Sequence, residues 1–206
     1  MTYGELRTHF NAVLNRRDLT TTLRDSFLQM GISKIQRELR TPLMEKSVLV
    51  TVGSDYDGIE IPSDYIALVA LSAEVGVNTY KLQRVDLEVA KREEAKGTAT
   101  PRVFSRQGGK WILGPTPAED DVIRIDYYGE VGELSDDADE NTLTIIAWDL
   151  IIYAALVLAA EYYLDKRLET FNERYMQTLS ALQGQSDYDE ISDAVMRPCI
   201  TIQDDC

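Results

Sequence analysis

The spacing of hydrophobic and polar positions changes twice along this 206-residue chain. Residues 1–42 and 136–185 carry apolar side chains at helical spacing, whereas residues 43–135 carry the alternation typical of strands. Residues 186–206 are polar, acidic and irregular, which predicts an extended C-terminal tail. The pattern therefore predicts an α+β protein, in which N- and C-terminal helices form a helical bundle and an antiparallel β domain is inserted between them.

Two helices are predicted before the first strand. Thr2-x-x-Glu5 is a capping box that starts the first helix, and Thr22-x-x-Asp25 is expected to start the second. Gly31 lies inside the second helix, where it predicts a close contact because glycine is otherwise costly there. Pro42 ends the helix. The apolar seam of the second helix consists of Leu28, Ile32, Ile35 and Leu39.

The middle of the chain contains several strand and turn signals. The alternation over 48–52, followed by the turn 53–58 and the run 59–61, predicts a β-hairpin. A second hairpin is predicted where residues 102–106 and 110–113 flank Gly108-Gly109. A short helix is expected over 86–96, and residues 123–128 alternate as in a half-buried strand.

The segment 142–164 is apolar almost all the way round, with only Asp149 and Glu161 charged. It predicts one buried helix, covered by its own chain or by neighbouring subunits, rather than a membrane anchor, because its flanks are acidic. The next helix is predicted over 165–183. Its apolar stripe consists of Leu168, Phe171, Tyr175, Leu179 and Leu182.

Charge and composition exclude several classes of function. The net charge is −14, and residues 133–206 hold 16 acidic against four basic residues. Tight nucleic-acid binding needs clustered Lys and Arg, so this class is disfavoured. His9 is the single histidine, which argues against a His-rich metal site or a histidine-based catalytic pair.

The only two cysteines, Cys199 and Cys206, form neither a disulfide framework nor a metal cluster, and this usage fits a reducing cytoplasm. A disulfide between them would constrain only the tail.

Three motifs resemble binding sites without meeting their requirements. Asp137–Asn141 begins like a calcium loop, but Thr142 replaces the turn glycine and Trp148 stands at the position of the bidentate glutamate. The stretch 55–58 is explained by turn chemistry, and Gly108-Gly109 lacks the Lys-Ser/Thr and the helix of a phosphate-binding loop. We therefore predict no catalytic, cofactor-binding or metal-ligating residues, no cofactor and no enzymatic activity.

Two tyrosine pairs, Tyr127-Tyr128 and Tyr162-Tyr163, allow two interpretations. In one, each pair places one ring in the core and one at the surface. In the other, the rings form a subunit contact, where tyrosine is favoured for its apolar ring and polar tip.

Several motifs follow one another in order along residues 1–183. They are Met1–Leu6, Arg37–Arg40, Ile59–Tyr65, Thr100–Phe104, Trp111–Pro117, Ile125–Tyr128, Leu134–Asp136 and Asp149–Tyr162. Through these motifs the sequence resembles the head-to-tail adaptor (connector) proteins of tailed bacteriophages, including the tail tubular protein A type. The dense acidic loop 136–140 and the segment after Gly184 depart from that pattern.

The resemblance implies a structural virion protein of the neck or tail, assembled in the bacterial host cytoplasm. It implies a ring, usually of twelve copies, that binds the portal protein on one side and tail nozzle or fibre proteins on the other. DNA would pass through the lumen without specific binding, and no membrane is involved. We expect acidic residues to outnumber basic ones on the lumen surface, and residues 186–206 to become ordered only on assembly.

Two alternatives remain at this point. One is another phage neck or tail completion protein. The other belongs to a different class, a small acidic ligand- or calcium-binding module that uses the loop 133–140.

Overall fold

The computed structural model describes residues 1–192, which group into two compact units. One unit contains Met1–Glu5 and Pro42–Ile146; the other contains Leu6–Thr41 and residues 147–192. The helices are α1 (Tyr3–Leu14), α2 (Thr21–Glu38), α3 (Leu87–Glu94), α4 (Thr142–Ile146), α5 (Trp148–Tyr162) and α6 (Leu168–Ser192). The strands are β1 (Glu45–Thr51), β2 (Ile59–Glu60), β3 (Tyr65–Val75), β4 (Asn78–Lys81), β5 (Gln83–Arg84), β6 (Val103–Gln107), β7 (Lys110–Gly114) and β8 (Val122–Gly129).

The predicted α+β class is confirmed, and the β-rich unit has two four-stranded sheets. Sheet A has the order β1-β8-β3-β4 and sheet B the order β2-β7-β6-β5. Pairing is antiparallel except between β5 and β6. Both sheets contribute to one apolar core, which includes Leu71, Phe104, Trp111, Leu113 and Ile123. The strict alternation of buried residues along β8 confirms the predicted half-buried strand.

One predicted hairpin is confirmed and one is wrong. β6 and β7 pair around Gly108-Gly109 as expected. In contrast, β1 and β2 do not pair with each other: β1 pairs with β8, and β2 pairs with β7. The turn 53–58 therefore carries the chain from sheet A to sheet B. The local pattern of two strands around a turn is the same in both arrangements, so the sequence did not distinguish them.

The second unit is a helical bundle in which α2 packs on α5 and α5 packs on α6. The predicted seam of α2 is buried. The predicted close contact at Gly31 is confirmed, since a Cβ there would lie 3.0 Å from the backbone nitrogen of Ala155. α6 buries Phe171, Tyr175 and Leu179 of its predicted stripe.

The capping box at the start of α1 is confirmed, but the predicted start of α2 is wrong. The Thr2 amide donates to Glu5 at 2.9 Å, and the Glu5 amide donates to the Thr2 hydroxyl at 3.3 Å. α2 is capped by Thr20, whose hydroxyl accepts from the Leu23 amide at 3.2 Å. Asp25 instead binds the Arg7 and Arg24 guanidinium groups, at 3.0 and 2.8 Å.

The predicted single helix over 142–164 is wrong, because the chain breaks at Ala147 between α4 and α5. Of these two helices, α4 has a side-chain N-cap, since the Asn141 side chain accepts from the Thr144 amide at 3.0 Å. The N-cap residue of α5, Ala147, makes no side-chain cap hydrogen bond, and in the first turn the Asp149 carboxylate accepts from the Leu150 amide at 2.9 Å. An acidic group is more favourable in a first turn than in the middle of a helix, which explains why Asp149 stands there.

The last helix is longer than predicted, because α6 continues past Gly184 to Ser192 instead of ending at residue 183. The first seven residues of the expected extended tail are therefore helical, and residues 193–206, including both cysteines, lie outside the described residues. No helix of the described part of the chain has the length and apolarity needed to cross a membrane. The sequence-based domain limits stay predictions, although residues 136–146 group with the β-rich unit.

Candidate interaction surfaces

The acidic loop after β8 is organised by its own hydrogen bonds. The Asp139 carboxylate accepts from the amides of Ser135 and Asp136, both at 2.8 Å, and these bonds hold the pKa of Asp139 below its usual range. The loop backbone also accepts from the start of α1, through Tyr3 N–H to Asp139 O at 2.9 Å and Gly4 N–H to Asp137 O at 3.0 Å. The loop thus serves as an anchor for the first turn of α1.

The motifs that resemble calcium loops do not come together into a site. Among residues 1–192, no group of three or more His, Cys, Asp and Glu side chains is placed to hold a metal ion. Asp57, in the turn before β2, instead forms an ion pair with Lys110 at the start of β7, with an oxygen–nitrogen distance of 2.7 Å.

His9 is a half-buried residue of the helical bundle. Its ring lies nearly perpendicular to the Trp148 ring at a centroid distance of 5.4 Å, next to a small cavity of about 70 Å³ that Asp149 also lines. His9 thus packs against Trp148 within the helical bundle, and this packing role accounts for the single histidine.

Tyr162 and Tyr163 form an aromatic corner at the end of α5. Their rings meet edge to face at 4.9 Å, and Tyr162 also contacts Phe27 at 5.7 Å. The Arg16 guanidinium lies 4.0 Å from the Tyr163 ring centre and is held by Asp18 at 2.9 Å. Tyr162 remains 63% exposed, so the corner presents an aromatic surface to solvent.

A groove of about 530 Å³ opens beside this corner. The Tyr163 hydroxyl is buried and has no hydrogen-bond partner among the described residues. Burial raises the pKa of Tyr163, and the nearby Asp18 charge acts in the same direction. The groove is lined by Asp18, Thr20, Thr22, Leu23, Ser26, Tyr162 and Tyr163.

Besides the aromatic corner, the two free edges of sheet A, at β1 and β4, are exposed. Six of the seven residues of β1 are exposed, and Leu49, next to its central residue, is 55% exposed. At the opposite edge, the turn between β3 and β4 carries Val77, which is 99% exposed. Long edge strands with exposed apolar side chains are usually protected in monomers, because their free backbone groups bind other strands.

The face of sheet A that points away from the β core carries polar pairs beside Leu49. Arg124 binds Glu74 through its Nε at 2.7 Å, and the Ser47 hydroxyl donates to Asp126 at 2.6 Å. These pairs bridge neighbouring strands and leave the face with charges of both signs.

Sequence reasoning located the two tyrosine pairs and missed the sheet edges. Tyr127 is buried in the β core and Tyr128 is half-buried, whereas Tyr162 is the exposed member of its pair. A subunit contact through either pair stays a prediction. The edges were missed because strand order depends on long-range pairing, which the alternation of residues does not contain.

These surfaces are suited to contacts with other proteins. Exposed strand edges and an exposed aromatic corner are features of proteins that work through contacts with other proteins. The family model of the SU10 adaptor protein matches residues 1–198, and the chain belongs to that family. The resemblance to phage adaptor proteins is thereby confirmed, whereas the closer similarity to the tail tubular protein A type stays a prediction. No curated protein matches the chain.

Proposed function

We propose that this protein is a head-to-tail adaptor, a structural component of the neck of a phage virion that forms a ring of twelve copies. The observation that carries the proposal is the match of the adaptor family over residues 1–198. A structural protein of this kind needs contact surfaces rather than a reaction site. The sheet edges and the aromatic corner supply such surfaces.

The ring binds the portal protein on one side and tail nozzle or fibre proteins on the other. An adaptor that meets copies of itself and two different partners needs several separate contact surfaces. Exposed apolar and aromatic residues suited to such contacts are Leu49 on the edge strand β1, Val77 in the turn before β4, and Tyr162 at the end of α5. Assembly takes place in the cytoplasm of the bacterial host.

DNA passes through the lumen of the ring without specific binding. Charge supports this part of the proposal, since the net charge of −14 repels a polyanion instead of holding it. An excess of acidic over basic side chains on the lumen surface is the expected arrangement. A lumen lined by clustered Arg and Lys would contradict it.

Native mass spectrometry of the protein with and without its cognate portal tests the proposal. We expect the mixture to contain a complex heavier than the portal ring by twelve copies of the 23.3 kDa chain. Portal and chain that remain separate at micromolar concentration would overturn the adaptor role. A complex with another copy number would overturn the twelvefold ring alone.

Two further measurements separate the alternatives. Calcium titration by calorimetry should show no stoichiometric heat, whereas a calcium-binding module would show it. Cryo-electron microscopy of the virion should place the chain directly below the portal. A position elsewhere in the neck or tail would favour a tail completion protein.

A further inference from the structure

Sheet A ends in two strands that have free edges. β1 and β4 stand at opposite ends of the order β1-β8-β3-β4, and within residues 1–192 each pairs with one strand only. β1 is seven residues long and β4 four. A row of free N–H and C=O groups at such an edge binds a further strand by continuing the hydrogen-bond ladder.

The directions of the two edge strands are complementary. β1 is antiparallel to β8, β8 is antiparallel to β3, and β3 is antiparallel to β4. β1 and β4 therefore run in opposite directions within one sheet. If a second copy continues sheet A with the same face towards its core, its β4 is antiparallel to β1 of the first copy, like most of the strand pairs already present.

The side chains of the two edges also match face by face. Val48 and Val50 lie opposite Ile125 and Ile123, so they point to the core side of the sheet. Tyr80 lies opposite Ala73, which itself lies opposite Ile123, and so it points to the core side as well.

On the other face, Leu49 lies opposite Arg124, and Thr79 lies opposite Glu74. If β1 of one copy pairs with β4 of another in antiparallel orientation, the core-side residues of the two strands therefore lie on the same face.

We propose that β1 of one copy pairs with β4 of a second copy, with Leu49 opposite Thr79 and Val48 opposite Tyr80. This places an aromatic ring beside a β-branched side chain, a favourable cross-strand pair. It also places Lys81 diagonal to Glu45. Neither of these two residues forms a salt bridge within the described part of the chain, so their opposite charges are available to each other.

The turn before β4 fits a groove beside β1. In this register, Val77 comes level with Thr51, where a groove of about 380 Å³ opens between the end of β1 and the start of β2. Its lining is mixed: Val50 and Tyr56 offer apolar surface for the Val77 side chain, beside polar residues such as Thr51, Asp55 and Glu60. Val77 is almost fully exposed in the single chain, and this contact would bury it.

The pairing joins two different surfaces of the same chain, so it is a head-to-tail contact that closes into a ring when the rotation between copies allows. The inference rests on the proposed function for the existence of the ring, and it names the surfaces that hold neighbouring copies together.

Disulfide trapping in the assembled complex with the portal tests the pairing. Cys199 and Cys206 are replaced by Ser in every sample, so that introduced cysteines are the only ones. Leu49→Cys and Thr79→Cys proteins are then mixed, assembled and oxidised. We expect a disulfide-linked dimer that is about tenfold more abundant in the mixture than in either protein alone, because the two positions face each other only across a β1–β4 contact.

The matched control moves the introduced cysteine on β1 to the opposite face of the strand. A mixture of Val50→Cys and Thr79→Cys should give no dimer above background, since these side chains point to opposite faces. Absence of the dimer from the Leu49→Cys and Thr79→Cys mixture would overturn the pairing. A strong dimer in Leu49→Cys alone would overturn it too, because that result indicates two β1 strands paired with each other.

A second pair of variants tests the edge without cysteines. Leu49→Lys places a charge on the edge, whereas Met176→Lys places the same charge on α6 at nearly equal exposure, 54% against 55%. We expect Leu49→Lys to reduce assembly with the portal at least about tenfold, and Met176→Lys to leave it unchanged. Normal assembly of Leu49→Lys would overturn the inference, whereas failure of the unmodified protein to assemble would overturn the proposed function.

Discussion

The backbone amide of Leu113 donates a 2.9 Å hydrogen bond to the phenol oxygen of Tyr56, 57 positions earlier in the chain. Leu113 lies on β7 and is fully buried, whereas Tyr56 lies in the turn between β1 and β2. Burial raises the pKa of Tyr56 to about 12, so the phenol stays neutral at physiological pH. The turn that carries the chain between the two sheets is therefore fixed to sheet B by one side chain.

Tyr56→Phe should lower the free energy of unfolding by about 1–3 kcal/mol, because the buried Leu113 amide loses its partner. Urea denaturation measures the change. Tyr65→Phe is the control, since its ring packs on Trp111 at 5.5 Å and its hydroxyl forms no hydrogen bond with the described residues. Equal stability losses in the two variants would contradict the role of the Tyr56 hydroxyl.

Gly31→Ala should destabilise the helical bundle. A Cβ at this position approaches the Ala155 nitrogen to 3.0 Å and the Ala154 Cβ to 3.3 Å, and the backbone of a packed helix cannot move away cheaply. The overpacking cost of about 1–3 kcal/mol exceeds the gain of about 1 kcal/mol in helix propensity. Thermal unfolding followed by circular dichroism measures the balance.

Gly184→Ala provides the matched control for Gly31, because it makes the same change inside α6 where nothing lies within 4 Å of the new Cβ. There the propensity gain acts alone, so stability should rise or stay equal. A stabilised Gly31→Ala protein would show that α2 and α5 are not in close contact at this point.

Tyr163→Phe should leave the isolated chain as stable as before or stabilise it by about 1 kcal/mol. The substitution removes a buried hydroxyl that has no partner among the described residues, and such a group is costly in a folded protein. The ring keeps its contact with Arg16. Chemical denaturation measures this effect, and a clear loss of stability would show that the hydroxyl has a partner within the chain.

Asp165→Asn should remove a pH-dependent part of the stability. Arg167 binds Asp165 at 2.8 Å and also donates to the Leu14 carbonyl at the end of α1, at 2.9 Å. The hydrogen bonds from Arg167 lower the pKa of Asp165 to about 2 from an ordinary value of 3.8. Because the pKa of Asp165 is lower in the folded than in the unfolded state, its charge stabilises the folded protein at pH values above the unfolded-state pKa. This contribution is lost as the pH falls towards 2.

The measurement compares the urea midpoints of the unmodified and Asp165→Asn proteins from about pH 6 down to about pH 3. The unmodified protein should be the more stable at the upper end, and the difference should shrink as the pH falls. A difference that stays constant with pH would contradict the assignment of the effect to the Asp165 charge.

Local signals predicted the parts of the fold that depend on neighbouring residues. The capping box at Thr2, the hairpin at Gly108-Gly109 and the alternation along β8 all involve contacts within a few positions or a strict period. The apolar character of 142–164 likewise predicted burial, which the helix α5 within it shows, because burial of a helix follows from the distribution of its own side chains. Gly31 was informative because its cost in helix propensity suggested a close approach, which the Ala155 backbone makes there.

The tertiary structure decided which strands pair and where helices stop. The segments around Val48 and Ile59 have the sequence pattern of a hairpin, yet they form strands of different sheets. The first pairs with β8 and the second with β7, and both partners lie far along the chain. Local propensity marked neither the break at Ala147 nor the continuation of α6 past Gly184. The sequence alone thus determined the class of most segments and, through ordered motifs, the family. Long-range contacts determined the free edges of sheet A, since an edge exists only once every other strand has found its partner.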